Sequence, residues 1–327
     1  MTGIADSFDR PINYLRISVT DRCNLRCIYC MPPEGIGWLP HGHILRYEEI
    51  LVIVKAAAEL GITKVRLTGG EPLVRADLGK LVGMIAQVKG IDDISLTTNG
   101  MLLARYAREL KEAGLRRVNV SLDSLDPENF RRITRYGDLG EVLKGMEAAH
   151  AAGLEPIKIN MVAMRWVNDH EILDFARKTR DEGWHVRFIE FMPMGERRDE
   201  ARERFISIAE IMERIESLGK LEPHRLAGNG PAKYYRLPGA GGTIGFIGPV
   251  SEHFCFQCNR LRLTAEGNLR PCLLSDEEID LREPIRRGAS AEEIKLLIER
   301  AIAAKPKGHG LAIGKTPHNR NMCQIGG

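Results

Sequence analysis

Two groups of cysteines near opposite ends of the 327-residue chain have the spacing of ligands for metals or iron–sulfur clusters. The first group, C-x₃-C-x₂-C, consists of Cys23, Cys27 and Cys30, and the second, C-x₂-C-x₁₃-C, consists of Cys255, Cys258 and Cys272. The amino terminus has acidic residues and no apolar stretch typical of a signal peptide, so we expect a cytoplasmic protein with reduced thiols. A disulfide framework is therefore not predicted.

The first group can hold three irons of a [4Fe–4S] cube, because such clusters are bound by cysteine thiolates and three of these lie on one short loop. The fourth iron would then be open to a chelating substrate. A zinc knuckle with a remote fourth ligand and three unrelated thiols are the alternatives. Zinc sites usually combine one C-x₂₋₄-C pair with a second pair elsewhere, which the clustered triad fits less well.

The second group also offers three thiolates, and its surroundings predict a hairpin that returns Cys272 to the other two. The hairpin strands are expected at residues 261–264 and 269–272. His253 could complete a zinc site there instead. Cys323 could supply a fourth thiolate, although an isolated cysteine in a tail is more often incidental.

Arginines accompany the second group. Arg260 and Arg262 alternate along the first hairpin strand and are expected to project the same way. Guanidinium groups suit phosphate oxygens, and together with Arg16, Arg66 and Lys158 on other strands these two could surround a polyphosphate. A solvated basic face is the plainer interpretation of each.

Six short β-branched runs alternate with longer amphipathic helical patterns between residues 14 and 194. The strands are predicted at residues 15–19, 64–67, 93–98, 117–122, 156–162 and 185–191. The helices between them are predicted at residues 47–60, 78–88, 103–113, 141–152 and 170–182. Six β–α units in a row indicate an α/β fold with a parallel sheet covered by helices. Because a closed barrel of this kind has eight units, we predict an open, partial (β/α)₆ barrel, with a flat doubly wound sheet as the competing topology.

A second region is predicted to begin at residue 206, so that residues 1–205 form the barrel and residues 206–327 carry the second cysteine group. In this region we expect helices at residues 208–218, 276–287 and 291–303 and strands at residues 234–237 and 243–247. Residues 305–327 show no periodicity, and we interpret them as a tail that closes the barrel.

Polar residues and glycines follow nearly every predicted strand at its carboxyl end, where α/β barrels have their active sites. Gly69-Gly70-Glu71-Pro72 follows the second strand, and glycines let a backbone approach a ligand closely. The other strands carry Thr97, Asn99, Asn119, Ser121, Asp123, Lys158, Asn160 and Met192. Each could be only a cap or turn residue, but their recurrence indicates a shared ligand site.

The composition argues against two classes of partner. The 47 basic and 44 acidic residues leave a net charge of +3, which is too small to indicate nucleic-acid binding. No apolar run reaches the roughly 18 residues of a membrane span, so no membrane association is expected.

The segment around the first group resembles the radical SAM superfamily, whose members carry C-x₃-C-x₂-C with an aromatic residue before the last cysteine, here Tyr29. The Gly-Gly-Glu-Pro segment resembles the one that meets the amino group of S-adenosylmethionine (SAM) in that superfamily. The resemblance implies that SAM chelates the open iron, and that an external one-electron reductant triggers release of a 5′-deoxyadenosyl radical. It also implies SAM contacts at Tyr29, Gly70, Ser121 and Met192.

The whole chain resembles the GTP 3′,8-cyclase family of molybdenum-cofactor biosynthesis, through both cysteine groups, the segment LRISVTDRCNLRCIYCMP and the terminal Gly326-Gly327. One departure is Cys323, where that family more often has Ser or Tyr. The resemblance implies a second [4Fe–4S] cluster at the second group, whose open iron binds guanine. It implies GTP contacts at Arg16, Arg66, Thr97, Lys158, Arg260 and Arg262, and catalytic roles for Arg260, Arg262, Gly326 and Gly327.

In that family the radical removes hydrogen from ribose C3′, and the resulting carbon radical attacks guanine C8. The product passes to cyclic pyranopterin monophosphate synthase, and homodimers are a further expectation. We also hypothesise that the terminal glycines enter the site, because residues without side chains permit close approach.

Two other functions compete with this interpretation. One is a two-cluster radical SAM enzyme that modifies a peptide, although such enzymes usually carry more auxiliary cysteines. The other is an interaction or nucleic-acid module with two structural zincs, which the lack of a strongly basic face or aromatic stripe disfavours.

Overall fold

A computed structural model of the protein describes residues 3–194, 198–226, 230–311 and 320–326. The strands in this part of the chain are β1 (Tyr14–Ser18), β2 (Lys64–Thr68), β3 (Asp93–Thr98), β4 (Arg117–Ser121), β5 (Lys158–Ala163), β6 (His185–Glu190), β7 (Glu222–His224), β8 (Lys233–Arg236), β9 (Thr243–Ile247), β10 (Arg260–Leu263), β11 (Asn268–Arg270) and β12 (Ile279–Asp280). They form one sheet in the order β12-β11-β10-β1-β2-β3-β4-β5-β6-β9-β8-β7.

The centre of this sheet is parallel and follows chain order from β1 to β6. β10 adds to the free edge of β1 and β9 to the free edge of β6, both in parallel. Antiparallel strands continue the sheet beyond both, so β9 and β10 do not pair with each other within the described ranges. A doubly wound sheet would reverse its strand order at one point, and this sheet does not. The prediction of an open, partial barrel is confirmed, with two more parallel strands than expected.

The helices of the described part are α1 (Tyr47–Glu59), α2 (Leu78–Ala86), α3 (Leu103–Glu112), α4 (Pro127–Thr134), α5 (Leu139–Ala151), α6 (Ile172–Asp181), α7 (Arg198–Glu203), α8 (Ile208–Glu216), α9 (Arg282–Arg286) and α10 (Ala291–Ala303). Their apolar faces cover the sheet: Ile50 and Ile53 of α1 belong to the same buried cluster as Ile17 of β1 and Leu67 of β2. Apolar residues recur every three or four positions in the helices and every second position in the strands. This spacing places them on the surfaces where the helices and the sheet face each other.

The helix predicted at residues 276–287 is wrong in its first part. Ile279 pairs with Leu269 in the sheet, and α9 begins only at Arg282. The Asp280 carboxylate accepts hydrogen bonds from the backbone N–H groups of Arg282 (2.8 Å) and Glu283 (3.3 Å), which have no partner within the first turn of the helix.

The short helix α4 was not predicted, although its start carries a recognisable signal. Asp126 accepts from the backbone N–H of Asn129 (2.6 Å), and Pro127 occupies the first turn. Proline at this position is preorganised for a helix because its missing N–H would have no partner there.

Strands from both predicted regions share one sheet, since β9 and β10 flank β1 to β6. The boundary at residues 205 and 206 stays a prediction. Within the described ranges, no helix is both long enough and apolar enough to cross a membrane.

Candidate functional site

A cavity of about 300 Å³ lies inside the open barrel, and both cysteine triads line it. The first triad follows the carboxyl end of β1. Cys255 and Cys258 precede β10, which runs parallel to β1, and Cys272 follows β11, which returns antiparallel. The two triads therefore lie at opposite ends of the parallel strands, with the cavity between them.

Backbone hydrogen bonds hold the loop that carries the first triad. The N–H of Cys30 donates to the carbonyl of Cys27 (2.9 Å), which closes a tight turn between these two ligand candidates. The N–H of Ile28 donates to the carbonyl of Ile133 in α4 (2.9 Å). The unpredicted helix α4 therefore serves as a support for the cysteine loop.

The double glycine after β2 packs against the same loop. The N–H of Gly70 donates to the carbonyl of Thr20 (2.8 Å), and a β-carbon on Gly70 would lie 2.3 Å from the carbonyl oxygen of Arg22. A β-carbon on Gly69 would lie 2.6 Å from the carbonyl oxygen of Thr20. Only glycines therefore allow β2 to end so close to the cysteine loop, and Gly70 also lines the cavity.

Glu71 joins the ends of β2 and β3. Its carboxylate accepts from the Thr98 hydroxyl (2.8 Å) and from the backbone N–H of Asn99 (2.7 Å). Burial raises the pKa of Glu71 to about 7, although these hydrogen bonds oppose the shift. The Asn99 amide in turn donates to the Asn24 side chain in the cysteine loop (2.8 Å), so this strand-end asparagine positions the loop.

Tyr29, between two cysteines of the first triad, is fixed by its hydroxyl. It donates to one carboxylate oxygen of Asp123 (2.8 Å), and the other oxygen accepts from the N–H of Val162 (2.8 Å). Burial raises the pKa of Asp123 to about 6. Ser121 and Met192 line the cavity together with Tyr29 and Gly70, so the four residues predicted to contact SAM surround one space.

The first triad is buried enough to disfavour thiolates. Burial raises the pKa of Cys23 to about 12 and raises the pKa of Cys27 well above its ordinary value. A hydrogen bond with Cys323 is the largest cause of the raised pKa of Cys30, followed by burial. Iron ligation requires thiolates, so cluster assembly at this triad must release protons.

Cys323 lies beside the first triad and not the second, which corrects its interpretation as a fourth ligand there or as part of a loose tail. Its side chain is 2% exposed and shares a hydrogen bond with Cys30. The segment that carries it is anchored by Arg320, which donates to both carboxylate oxygens of Glu278 (3.0 and 2.8 Å).

Cations surround the second triad. The Arg260 guanidinium lies 3.8 Å from the sulfur of Cys258. Burial alone would raise the pKa of Cys258, but the charges of Arg260 and Lys305 outweigh burial and lower that pKa to about 6. His253, the candidate zinc ligand, does not line the cavity within the described residues and instead packs against His309, with 5.3 Å between ring centroids.

We expect Cys258 to react faster than the three thiols of the first triad in the cluster-free chain. At pH 7 a pKa of about 6 leaves about 90% of the thiol ionised, whereas a pKa of about 12 at Cys23 leaves about one part in 10⁵, and the thiolate is the nucleophile. Lowering the pH from 7 to 5 should slow alkylation of Cys258 about tenfold, because the thiolate is protonated below its pKa. Iodoacetamide labelling followed by peptide mass spectrometry measures this, and equally fast labelling of Cys23 would contradict it.

Three of the predicted arginines form a row across the cavity wall. Arg262, Arg16 and Arg66 are in register on β10, β1 and β2, and all three are buried. Burial, and next the charge of Arg260, lower the pKa of Arg262 to about 9. Thr97 and Arg260 also line the cavity. Buried like charges are costly unless an anion compensates them, so this row suits a polyanionic ligand.

Lys158 is on the same face of β5 as Asn160, which lines the cavity, and its contact with GTP stays a prediction. It is buried, and its ammonium lies 5.5 Å from the centre of the Tyr234 ring. Burial, with repulsion from Arg187, lowers the pKa of Lys158 to about 7. Arg187 lines the cavity and donates to the Asn119 side chain (2.7 Å). The sequence analysis missed Arg187, which lies between Val186 and Phe188 in β6.

The carboxyl-terminal segment reaches this arginine row. The Gly326 carbonyl accepts from Arg16 (2.8 Å), from the Thr68 hydroxyl (3.3 Å) and from Arg262 (3.4 Å). Gly326 has φ +72°, and a β-carbon on it would lie 2.5 Å from the Thr68 methyl group. Only glycine fits this position. Gly327 lies outside the described residues.

The donor sets fit iron–sulfur clusters. All six triad thiols lie on the wall of one cavity, and thiolate sulfur is the ligand that such clusters use. No three His, Cys, Asp or Glu side chains converge on a single-ion site within residues 3–194, 198–226, 230–311 and 320–326. A four-iron cube holds each ligand at a separate corner, so it needs wider spacing than one zinc ion does.

Comparisons with known proteins agree with this site. Residues 17–179 match the Radical SAM superfamily, and residues 184–311 match Molybdenum Cofactor Synthesis C. Among solved structures, Streptococcus suis SuiB bound to S-adenosylmethionine has a TM-score of 0.63 at 14% identity, over 96% of this chain and 77% of that chain, and so shares the fold. The fold, the cysteine loop and the matched family define a radical SAM enzyme, which uses SAM and an Fe–S cluster.

Curated relatives narrow the family further. GTP 3′,8-cyclase of Pelotomaculum thermopropionicum is 55% identical over 324 residues, which cover 98% of this chain and 99% of the relative. The GTP 3′,8-cyclases of Desulforamulus reducens and Thermodesulfovibrio yellowstonii are 53% and 52% identical over the same shares. The chain belongs to the GTP 3′,8-cyclase family.

Proposed function

We propose that this chain converts GTP and SAM to (8S)-3′,8-cyclo-7,8-dihydroguanosine 5′-triphosphate, 5′-deoxyadenosine and methionine, the first step of molybdenum-cofactor biosynthesis. One observation carries the proposal: two thiol triads at opposite ends of one cavity flank a row of buried arginines. A nucleoside triphosphate can use all three features at once, with its base at one end, its phosphates on the row and its ribose between them.

The first triad would hold the radical-generating cluster. A [4Fe–4S] cluster held there by Cys23, Cys27 and Cys30 would, with one electron from an external reductant, supply the chemistry that releases a 5′-deoxyadenosyl radical from SAM. Gly70, Ser121, Met192 and the backbone at Tyr29 orient SAM at this end of the cavity. A primary carbon radical takes hydrogen from almost any neighbour, so the choice of ribose C3′ depends on how the protein positions its substrate.

The arginine row supplies that positioning. Arg16, Arg66 and Arg262 bind the triphosphate through charge-assisted hydrogen bonds, and Arg260 and Arg187 extend the same wall. The phosphates relieve the mutual repulsion of these buried cations. Thr97 contacts the ribose side, and Lys158 of β5 adds a further positive charge.

The second triad would hold a second [4Fe–4S] cluster with an open iron for guanine. Its position at the far end of the cavity supports this assignment, because a base held there and phosphates held on the arginines leave the ribose facing the first triad. The Gly326 carbonyl orients Arg16 and Arg262, so the tail takes part in placing the substrate and in excluding competing hydrogen donors.

The partners follow from the family and stay predictions. They are an external one-electron reductant, cyclic pyranopterin monophosphate synthase as recipient of the product, and a second copy of the chain in a homodimer. A cytoplasmic location is supported by the six cluster-ligand thiols, which a reducing compartment keeps available.

The proposal is tested by quantifying 5′-deoxyadenosine under anaerobic conditions after cluster reconstitution, with SAM, a strong reductant, and GTP present or absent. We expect GTP to stimulate SAM cleavage and to be consumed into the cyclised product, because the substrate completes the site. ATP is the matched control for the base. Cleavage of SAM that is indifferent to GTP would leave the radical chemistry in place and remove GTP as the substrate.

A further inference from the structure

Lys305 is a buried lysine beside the second triad that the proposed reaction does not use. Its side chain is 3% exposed, and its ammonium donates to the carbonyl of Arg260 (2.8 Å) and to the carbonyl of Pro271 (2.7 Å). Arg260 lies two residues after Cys258, and Pro271 directly precedes Cys272. One ammonium group therefore ties together the two segments on which these cysteines lie.

A second buried cation holds the third cysteine. Arg10 donates to the carbonyl of Cys255 (2.7 Å) and to the carbonyl of Pro306 (2.8 Å), the residue after Lys305. Arg10 also donates to the Asp6 carboxylate (2.6 Å), which neutralises its charge. The two cations together brace all three cysteine segments of the second triad against residues 305–306.

The charge of Lys305 is compensated differently from that of Arg10. Whereas Arg10 is paired with Asp6, Lys305 lines the cavity together with Cys258 and Cys272. A buried ammonium group costs free energy unless a negative charge lies nearby, and cysteine sulfurs that bind iron would supply that charge. The location of Lys305 therefore matches the charge that the triad carries when it holds iron.

We propose that Lys305 is a positioning residue of the second cluster, which holds Cys258 and Cys272 at the spacing for cluster binding and raises the cluster's reduction potential. The inference rests on the second cluster of the proposed function. The added electron makes the cluster more negative, and a nearby buried cation stabilises that form more than the oxidised one. Lys305 thus makes two contributions: its hydrogen bonds hold the two cysteine segments together, and its positive charge stabilises the reduced cluster. A substitution can remove the charge and keep the hydrogen bonds.

The test uses the full chain with Cys27→Ser, reconstituted anaerobically, so that only the second cluster is present. Lys305→Gln keeps N–H donors for the two carbonyls but loses the charge, Lys305→Arg keeps both, and Lys305→Met loses both. EPR-monitored redox titration should give a lower potential for the Gln and Met variants than for the parent, with the Arg variant near the parent. The Met variant should also bind fewer irons per chain.

The control is Lys295→Met in α10, which removes a lysine paired with Glu59 (2.9 Å) and Glu292 (2.6 Å) away from the triads. We expect no change in potential or iron content from it. Equal reduction potentials for Lys305→Gln and Lys305→Arg would show that the charge of Lys305 does not raise the potential of the cluster. This comparison tests the proposal even if Lys305→Met does not fold. A Cys27→Ser chain that binds no iron would contradict the second cluster itself, and the inference with it.

Discussion

Replacing Cys27 with serine is expected to reduce 5′-deoxyadenosine formation to the level seen without enzyme, whether or not GTP is present. Cys27 lies in the middle of the first triad, and its backbone carbonyl closes the turn to Cys30. A hydroxyl in place of the thiol removes one of only three ligands, and Fe–S clusters depend on thiolate ligands. Chromatographic quantification of 5′-deoxyadenosine after anaerobic reconstitution measures the effect.

Cys258→Ser is the matched variant at the other end of the cavity. We expect it to keep slow, uncoupled SAM cleavage but to form no cyclised product, because the first triad stays intact while the base loses its anchor. The Cys27→Ser and Cys258→Ser chains should each bind about four irons, whereas the parent chain should bind about eight. Cyclised product from the Cys258→Ser chain at the parent rate would show that the second triad is not part of the reaction.

Replacing Gly326 with alanine is expected to lower the rate of cyclisation by about 10²-fold, since a misplacement of about 1 Å at a reacting group can have that effect. The new β-carbon would lie 2.5 Å from the Thr68 methyl group, well inside van der Waals contact, at a residue with φ +72°. The carbonyl that orients Arg16 and Arg262 must then move. Quantification of the cyclised nucleotide by liquid chromatography, with both clusters verified by iron analysis, measures this loss.

Gly239→Ala is the control for backbone strain alone. Gly239 has φ +73° like Gly326, but it is exposed and a β-carbon there would meet no atom within 4 Å. We expect this variant to be slightly destabilised and to cyclise GTP normally. A Gly326→Ala chain that also cyclises GTP at the parent rate would remove the tail from the mechanism.

Local patterns in the sequence were sufficient for the parallel core of the fold. The strands predicted to begin at residues 15, 64 and 93 became β1, β2 and β3 with ends shifted by one residue at most, because each strand carries its own alternation of apolar residues. The hairpin that returns Cys272 was also predicted correctly, since β10 and β11 pair through Leu263 and Leu269. The helix at residues 276–287 failed where Ile279 found a partner in the sheet, which no local pattern encodes.

The types of ligand at the site could be predicted from the sequence, whereas the residues that surround these ligands were harder to predict. The Gly70 and Tyr29 positions followed from motifs that lie on one loop or one strand end, and both line the cavity. Lys305 and Arg187 were missed, because a lysine after a helix and an arginine in a strand acquire a role only through residues far away in sequence. The position of Lys158 on a strand was predicted correctly, and its contact with GTP stays a prediction.

The sequence by itself determined the chemistry of this protein: six thiols in two triads, a double glycine after the second strand and a terminal glycine pair. Ligand type and short-range spacing are properties of a few adjacent residues, so they can be recognised in the sequence without knowledge of the fold. Only the tertiary structure decided that β10 pairs with β1, which puts the second triad across the cavity from the first and aligns Arg262 with Arg16. It also placed Cys323 against Cys30 and Gly326 against the arginine row. The pairing of β10 with β1 and the contacts of Cys323 with Cys30 and of Gly326 with Arg16 join residues more than 200 positions apart, and their distances depend on the register and curvature of the whole sheet.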